Sequence, residues 1–527
     1  MRLKWSLTLF GVAAFAASTA NPAHGFEGQS EEWMQVKKIT EFTDAARLGS
    51  AVALSGNTAV VGAPGAGGGR GAVLVFERDG TTWNPLGNPL SASNGGAGDE
   101  FGFSVAISED ELILVVGAPG EDHFTPRITT SQGYQNCISG NPAPNCMGMD
   151  PDNNNSVNYG NLDGSNQQDF GAVYVFERAS THLPFAQTAY LKAFGVPRYL
   201  LSDPAAQMRF GHAVSISGGT VVVGTPYEDN NTTNSMGSAY LETGAAFVFD
   251  RVGGTWQKSL RLKAPNQQFG DQFGYSVAIS GNTIAVGAPR EDSFFNGAFA
   301  GSAMDQASNN SIPDTGAVYV FHRSGGAWSQ QAYLKPFLNS ACSQGFGGGA
   351  LFGSAVAIQE NRIVAGAPAA NFVSYTNGCS LSSGAPDFKN GAAFIFDRVG
   401  SNWGATQPLW ASNRGVNDSF GASVSISGDS LLVGAPYEKG LNDTRPYSGA
   451  AYSFLKSGDS WLGRGAIRSS DASSYAYFGQ SVALDSETLL VGAPQTYSNR
   501  TGAAYLFGPL ALDALTIEED AHPLDPK

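Results

Sequence analysis

The feature that most constrains this chain is a sentence it writes repeatedly. FGYSVAISGNTIAVGAPRED at 273–292 returns as FGHAVSISGGTVVVGTPYED from Phe210, FGASVSISGDSLLVGAPYEK from Phe420 and FGQSVALDSETLLVGAPQTY from Phe478. An enzyme needs one catalytic constellation and gains nothing from copies of it, so the recurrence marks a building unit. Aligned on Gly-Ala-Pro, the copies fall at Gly62, Gly117, Gly224 (here Gly-Thr-Pro), Gly287, Gly366, Gly434 and Gly492. Each follows a Phe-Gly or Leu-Gly pair, and the spacing between the two Gly is 13 in six copies and 15 in the second.

Downstream of each Gly-Ala-Pro lies a Gly-Ala strand start: GAVLVF at Gly71, GAVYVF at Gly171 and Gly316, GAAFVF at Gly244, GAAFIF at Gly391, GAAYSF at Gly449 and GAAYLF at Gly502. With the Trp-led segments at Trp83, Trp256, Trp328, Trp403 and Trp461, each unit reads as four short antiparallel strands. Their middle strands are nearly continuous apolar runs, so both faces must be covered by neighbouring units. Radial stacking of seven units meets that demand, and the sequence predicts an all-β, seven-bladed β-propeller. The seventh unit lacks its own Trp strand, while WMQVKKITEF from Trp33 stands unassigned at the other end of the chain. The N-terminal strand is therefore expected to complete the last blade, leaving the ring without an open end.

The Phe-Gly and Gly-Ala-Pro elements resemble FG-GAP repeats, the units of the integrin alpha-chain β-propeller. The resemblance covers roughly Trp33 to Phe507 and implies the same propeller fold. Many blades of that family carry a calcium loop between their first two strands. Here that place holds SGNT (Ser55–Thr58 and Ser280–Thr283), SGGT from Ser217, SGDS from Ser427 and DSET from Asp485, turns with too few oxygens for the ion, and SEDE from Ser108, which lacks the required Gly. The usual blade calcium is not carried over, and no cofactor is expected, although the loop face leaves room for calcium. In the second unit, Asp150, Asp152 and Asn154 echo the start of a calcium loop, but Asn155 and Asn161 stand where Gly and Glu are required, so the stretch reads as polar turn or disordered structure.

Residues 1–25 carry Arg2 and Lys4, an apolar run from Leu7 to Ala17 and small residues near Ala20 and Gly25, the pattern of an export signal. The propeller is expected over 26–508 and an acidic tail over 509–527. No later stretch is apolar enough for a transmembrane helix, so the chain is expected to be secreted, periplasmic or associated with the cell surface. In that oxidising setting the four cysteines are expected to pair as Cys137 with Cys146 and Cys342 with Cys379. A balance of 30 basic against 45 acidic residues, net −15, argues against nucleic acid and anionic lipid as partners.

The units differ most between their second and third strands, where 6, 51, 17, 26, 22, 12 and 7 residues intervene. Those connections emerge on the same face as the links from one unit to the next, and variable loops on a stiff scaffold are where recognition resides. Paired acids follow Gly-Ala-Pro at Glu121-Asp122, Glu228-Asp229 and Glu291-Asp292, with Glu438 in a fourth copy. They read either as solvated turn acids or as a partial acidic ring for a cationic ligand. His123 sits beside the first pair as a further candidate; His212 fills a structural slot after Phe-Gly. No H-E-x-x-H, G-x-S-x-G or phosphate-cradling motif is present, so no catalytic residue is assigned. The expected function is a secreted binding or adhesion module for an extracellular protein or glycan. A propeller hydrolase using loop acids and a structural envelope component are the alternatives.

Overall fold

The computed structural model describes residues 33–122, 127–130, 133–136, 170–194, 208–233, 239–240, 242–293, 297–300, 312–335, 349–370, 373–375, 378–380, 389–440, 444–495 and 501–509. Seven antiparallel sheets carry the repeats, each built in the order the sequence predicts. The fourth blade is representative: Ser276–Ser280, Thr283–Ala288, Ala317–Ser324 and Ala327–Lys335. First strands lie side by side around the axis, and Ala51–Ser55 of blade 1 touches both Ser104–Ile107 of blade 2 and Ser481–Asp485 of blade 7. The ring is closed.

Closure rests on the expected exchange. Trp33–Ile39 pairs antiparallel with Ala503–Pro509, from Trp33 opposite Pro509 to Ile39 opposite Ala504, and supplies the outer strand of blade 7. Lys38 locks it through a 2.5 Å ion pair with Asp471, whose second oxygen accepts the Tyr505 hydroxyl at 2.9 Å.

The core is divided among the seams. Seven apolar clusters each join two adjacent blades, including one uniting Ile39, Leu490 and Leu506 of blade 7 with Val61, Leu74 and Phe76 of blade 1. Second strands such as Thr58–Ala63 and Thr220–Thr225 are buried along their whole length, which is why their sequences do not alternate. The Phe of each Phe-Gly is fully buried and meets the third strand of its own blade edge-on, as Phe101 does with Tyr174 and Phe176 at 5.3 and 5.9 Å.

The two Gly of the motif explain each other. Within a blade the Phe-Gly amide donates to the Gly-Ala-Pro carbonyl, as from Gly274 to Gly287 at 2.9 Å. Across the seam, a Cβ on Gly287 would lie 2.0 Å from the Gly353 carbonyl oxygen of the next blade, and the same clash recurs at Gly62, Gly117, Gly224, Gly366, Gly434 and Gly492. Only a residue without a side chain allows that approach. A parallel bridge beside each contact, Gly71 to Phe101 through Leu48 to Gly502, completes the seam.

At the other end of blades 1 to 5 an Arg at the close of the third strand reaches back to the previous blade. Arg178 donates to Glu77 at 3.2 Å and to Thr58 at 2.8 Å, Arg251 to Glu177 at 2.6 Å and Arg323 to Asp250 at 3.0 Å. The Trp of the fourth strand provides a ring beneath several of these cations, Arg323 over Trp328 at 4.9 Å and Arg398 over Trp403 at 5.4 Å.

The insertions contain strands the repeat reading did not anticipate. Gly297–Ala300 pairs with Ala327–Lys335 as a fifth strand of blade 4, and short antiparallel pairs join Arg127–Thr130 to Gly133–Asn136, Asn230–Thr233 to Ala239–Tyr240 and Val373–Tyr375 to Gly378–Ser380. The expected export signal, the acidic tail beyond Pro509, the Cys137, Cys146 and Cys342 of the expected pairings, His123 and the stretch around Asp150 lie outside the described residues. Among the described residues no helix is long and apolar enough to cross a membrane.

Candidate functional site: the loop face

The connections from strand two to strand three and from one blade to the next emerge together, and the acids that follow Gly-Ala-Pro lie at their base. The structure places the glutamates of these pairs inside the blades. Glu291 is 1% exposed and meets Lys335, itself fully buried, at 2.6 Å; it also accepts from Asn266 at 2.9 Å and from the Ser293 hydroxyl. Glu228 pairs with Lys263 at 2.7 Å and with Arg261, and Glu438 with Arg468 at 2.7 Å. Glu121 pairs with Lys192 and accepts from Asn94 at 3.0 Å. Each cation ends the fourth strand of the same blade, so the pair ties the root of an insertion to the outer strand. A removed partner would leave a buried charge, which makes such pairs stiffening elements. Burial pushes the Lys335 and Lys263 pKa values down despite the facing glutamates.

The aspartates do different work. Asp229 accepts the Glu242 amide at 2.7 Å and Asp292 the Asp314 amide at 2.8 Å, each clipping the far end of its insertion to the near end. Burial raises both carboxyl pKa values, with the adjacent glutamates adding to the shift. Asp122 is exposed at the start of its insertion.

Sequence reading passed over the network beneath these acids. Asn94, Asn266 and Asn413 each follow a fourth strand, donate to the glutamate of the next blade and accept a tyrosine hydroxyl from its third strand: Tyr174, Tyr319 and Tyr452, at 2.6 to 2.7 Å. The signal was a covariation among copies: Asn precedes three of the four blades whose third strand reads Gly-Ala-x-Tyr and Asp471 precedes the fourth, where it accepts the Tyr505 hydroxyl, whereas Leu74, Phe247 and Phe394 stand at the Tyr position of the other blades. A second omission is the acid two residues before Phe-Gly. Asp99 and Asp271 accept amides three residues upstream, from Gly96 at 2.6 Å and Gln268 at 2.7 Å. Burial, then the Glu291 carboxylate, pushes the Asp271 pKa up to about 8.

At the axis, residues directly after Phe-Gly start the first strands and ring the mouth of the loop face. Three consecutive blades place aromatic rings there: Phe103, His212 and Tyr275, with centroids 5.2 and 4.8 Å apart across His212. Tyr227 approaches the same imidazole at 6.4 Å. His212 donates from Nδ1 to the Tyr275 carbonyl at 3.1 Å, and burial, with Arg209 nearby, lowers its pKa to about 4, so the ring is neutral at physiological pH. Arg209 covers Phe103 at 5.4 Å and shares Glu100 with Arg47, at 2.6 and 2.7 Å. The expected structural slot for His212 is thus part of an aromatic arc flanked by two guanidiniums.

A match to the model of the FG-GAP repeat spans 33–76, 88–132, 199–241, 256–321, 403–454 and 461–507. The chain belongs to the FG-GAP repeat family. Its fifth blade lies largely between the matched segments, yet Phe352-Gly353 and Gly366 make the same contacts there. No curated protein matches the chain.

Membership raises the question of calcium between strands one and two, and this FG-GAP chain does not fit the ion there. Ser55 pairs directly with Thr58, and the other blades turn in the same way, leaving two residues in most of the connections. Oxygens that begin the turns are used between blades. Ser217 accepts the Gly281 amide at 3.1 Å, Ser280 that of Glu360 at 3.0 Å, Gln359 that of Gly428 at 2.7 Å and Ser427 that of Ser486 at 3.1 Å. Asp485 accepts from Gly56, Ser55 donates to the Glu109 carbonyl at 3.4 Å and the Glu109 carboxylate accepts from Gly218 at 3.1 Å. The circle of seven links returns to its start, and hydrogen bonds occupy the positions that calcium ligands would need.

Proposed function

We propose that this FG-GAP propeller is an exported binding module of extracellular type, without enzymatic activity, that recognises a protein or glycan on its loop face. The observation that carries this reading is the aromatic arc of Phe103, His212 and Tyr275 at the axial mouth, bordered by Arg47 and Arg209. Half-buried aromatic and Arg side chains near the centre of a face are what binding surfaces use as anchors. The scaffold beneath is tied by ion pairs and amide clips, so little order remains to be imposed on association. Hydrolysis by two carboxylates is the weaker reading. The four glutamates after Gly-Ala-Pro, Glu121, Glu228, Glu291 and Glu438, are buried and paired with the blades' own Lys and Arg, and Glu100 beside the arc is shared by two guanidiniums, which leaves Asp122 as the exposed acid among the acids that follow Gly-Ala-Pro.

The test is a binding screen of the mature chain against arrayed extracellular proteins and glycans, with calcium and with chelator. A ligand should lose at least tenfold in affinity with Phe103→Ala or Tyr275→Ala and be indifferent to Glu109→Ala on the opposite face. A ligand that responds only to Glu109→Ala, or turnover of a bound glycan, would displace this reading.

A further inference from the structure

At one seam the loop face carries side chains the fold does not ask for. Three positions of the repeat meet where blade 6 passes to blade 7, and their backbone is repeated elsewhere. Three residues before Phe-Gly the chain takes a left-handed conformation, with Gly98 at φ +92°, Gly270 at +82°, Gly349 at +83° and Asn417 at +63°. The seam between blades 6 and 7 places Tyr475 there, at +65°. That backbone region disfavours a bulky L residue, whereas Gly adopts it freely. The local geometry is otherwise the same: Tyr475 donates to the Pro446 carbonyl at 2.8 Å as Gly349 does to Pro313 at 2.8 Å. A side chain at the equivalent Gly98, Gly270 or Gly349 would meet nothing within 4 Å, so this position points away from the core.

Two further repeat positions are joined by an amide bond across the seam, from Gln272 to Glu242 at 3.1 Å and from Leu351 to Asp314 at 3.0 Å. Here the same bond, 3.0 Å, joins Tyr477 to Tyr447. The position after Gly-Ala-Pro supplies a fourth ring, Tyr437. The Tyr447 and Tyr477 rings lie nearly parallel, 10° apart with centroids at 5.9 Å, and Tyr437 stands edge-on to both at 5.5 Å. Tyr475 meets Tyr447 at 5.5 Å. Tyr437, Tyr447 and Tyr475 remain 40%, 37% and 37% exposed. Glu438, next to Tyr437 in the chain, is buried and paired with Arg468.

We infer that this tyrosine cluster is a saccharide-binding subsite of the loop face, taking a neutral pyranose. The inference rests on the loop-face reading and names a ligand class for it. Where the other described seams take this left-handed backbone with Gly or with Asn, which tolerates it, only this one imposes it on a bulky ring, and that strain points to a function for the side chain that incurs it. The chemistry follows from the ring. A tyrosine face carries negative quadrupole density that attracts the polarised C–H groups on the apolar face of a sugar, and its hydroxyl exchanges hydrogen bonds with sugar hydroxyls. Four tyrosines above the paired Glu438 and Arg468 favour a ligand that alternates apolar and hydroxyl surface, and the exposed Arg445 beside Tyr447 is a donor for sugar hydroxyls. The loops that carry them are zipped by two backbone bonds, which holds the rings in place before the ligand arrives.

The test is affinity electrophoresis of the full mature chain in gels containing a β-1,3-glucan, a galactomannan, a mannan or a dextran, with a proline-rich peptide library screened in parallel. At least one polysaccharide should retard the wild-type chain. Tyr475→Gly should weaken that retardation at least tenfold while the melting temperature stays within about 2 °C of wild type or rises, because Gly takes this backbone without strain. Tyr447→Ala should weaken it similarly. Retardation that survives both substitutions places the sugar elsewhere and overturns the inference; if Phe103→Ala then abolishes it, the loop-face reading stands without this subsite. Tyr475-dependent binding of proline-rich peptides, with no polysaccharide effect, also overturns the saccharide assignment. No retardation by any of the four polysaccharides overturns it outright, and the array screen then decides the loop-face reading by itself.

Discussion

Replacing Gly287 by Ala isolates the approach on which each seam depends. Gly287 has an ordinary backbone conformation, outside the positive-φ region, so Ala would by itself be tolerated and would even stabilise by roughly 0.5 kcal/mol through the unfolded chain. Its Cβ, however, would lie 2.0 Å from the Gly353 carbonyl oxygen and 2.4 Å from Ser276 Oγ. Restoring van der Waals distance requires the seam between blades 4 and 5 to part by more than 1 Å, by about the difference between 2.0 Å and an ordinary ~3.4 Å contact. That movement stretches the 2.7 Å bond from Ser276 to the Gly353 carbonyl and the bridge from Gly316 to Phe352. Overpacking of about 1–3 kcal/mol plus about 1 kcal/mol for the bond gives a loss near 3 kcal/mol. Gly281→Ala in the same blade is the control: its φ is +53° and nothing lies within 4 Å, so it should cost only about 1 kcal/mol of backbone strain. Denaturant unfolding of both variants measures the difference. Equal stability of Gly287→Ala and wild type, or a larger loss from Gly281→Ala, would refute the close-approach account of the motif.

Two further outcomes follow from the buried charges. Lys335→Met should destabilise by about 3–5 kcal/mol because it strands Glu291, and adding Glu291→Gln should recover a substantial part of the loss in the same denaturation assay. Asp271 binds its proton more tightly folded than unfolded, its pKa being raised from 3.8 to about 8, so its contribution is complete below the unfolded value and lost as pH rises through that window. Asp271→Asn should therefore match wild type near pH 4 and exceed it at pH 9, the gap growing by at most ~1.4 kcal/mol per pH unit between; a gap independent of pH would dismiss the assignment.

Most of the fold was legible because it is written seven times. The Gly spacing, the apolar second strands and the missing outer strand of the last unit each had a single physical solution, and the exchange of Trp33–Ile39 follows from them. The site was less legible. Paired acids after Gly-Ala-Pro look like surface chemistry in a linear reading, because the cation that buries each glutamate stands a full strand pair away, as Lys335 does from Glu291. The tyrosine cluster was hidden for the opposite reason: Tyr437 and Tyr447 belong to one connection and Tyr475 and Tyr477 to another, and only the seam brings them together. A comparison of copies position by position, asking where Gly or a polar residue is replaced by an aromatic one, would have found it.

Amide hydrogen exchange over Ala503–Pro509, with and without residues 33–39, tests the closed ring most directly. The intact chain should protect this strand on both edges. Removal of the N-terminal strand should expose its outward amides and lower the melting temperature. Unchanged protection and melting after the deletion would mean that the blades are not closed by the opposite terminus.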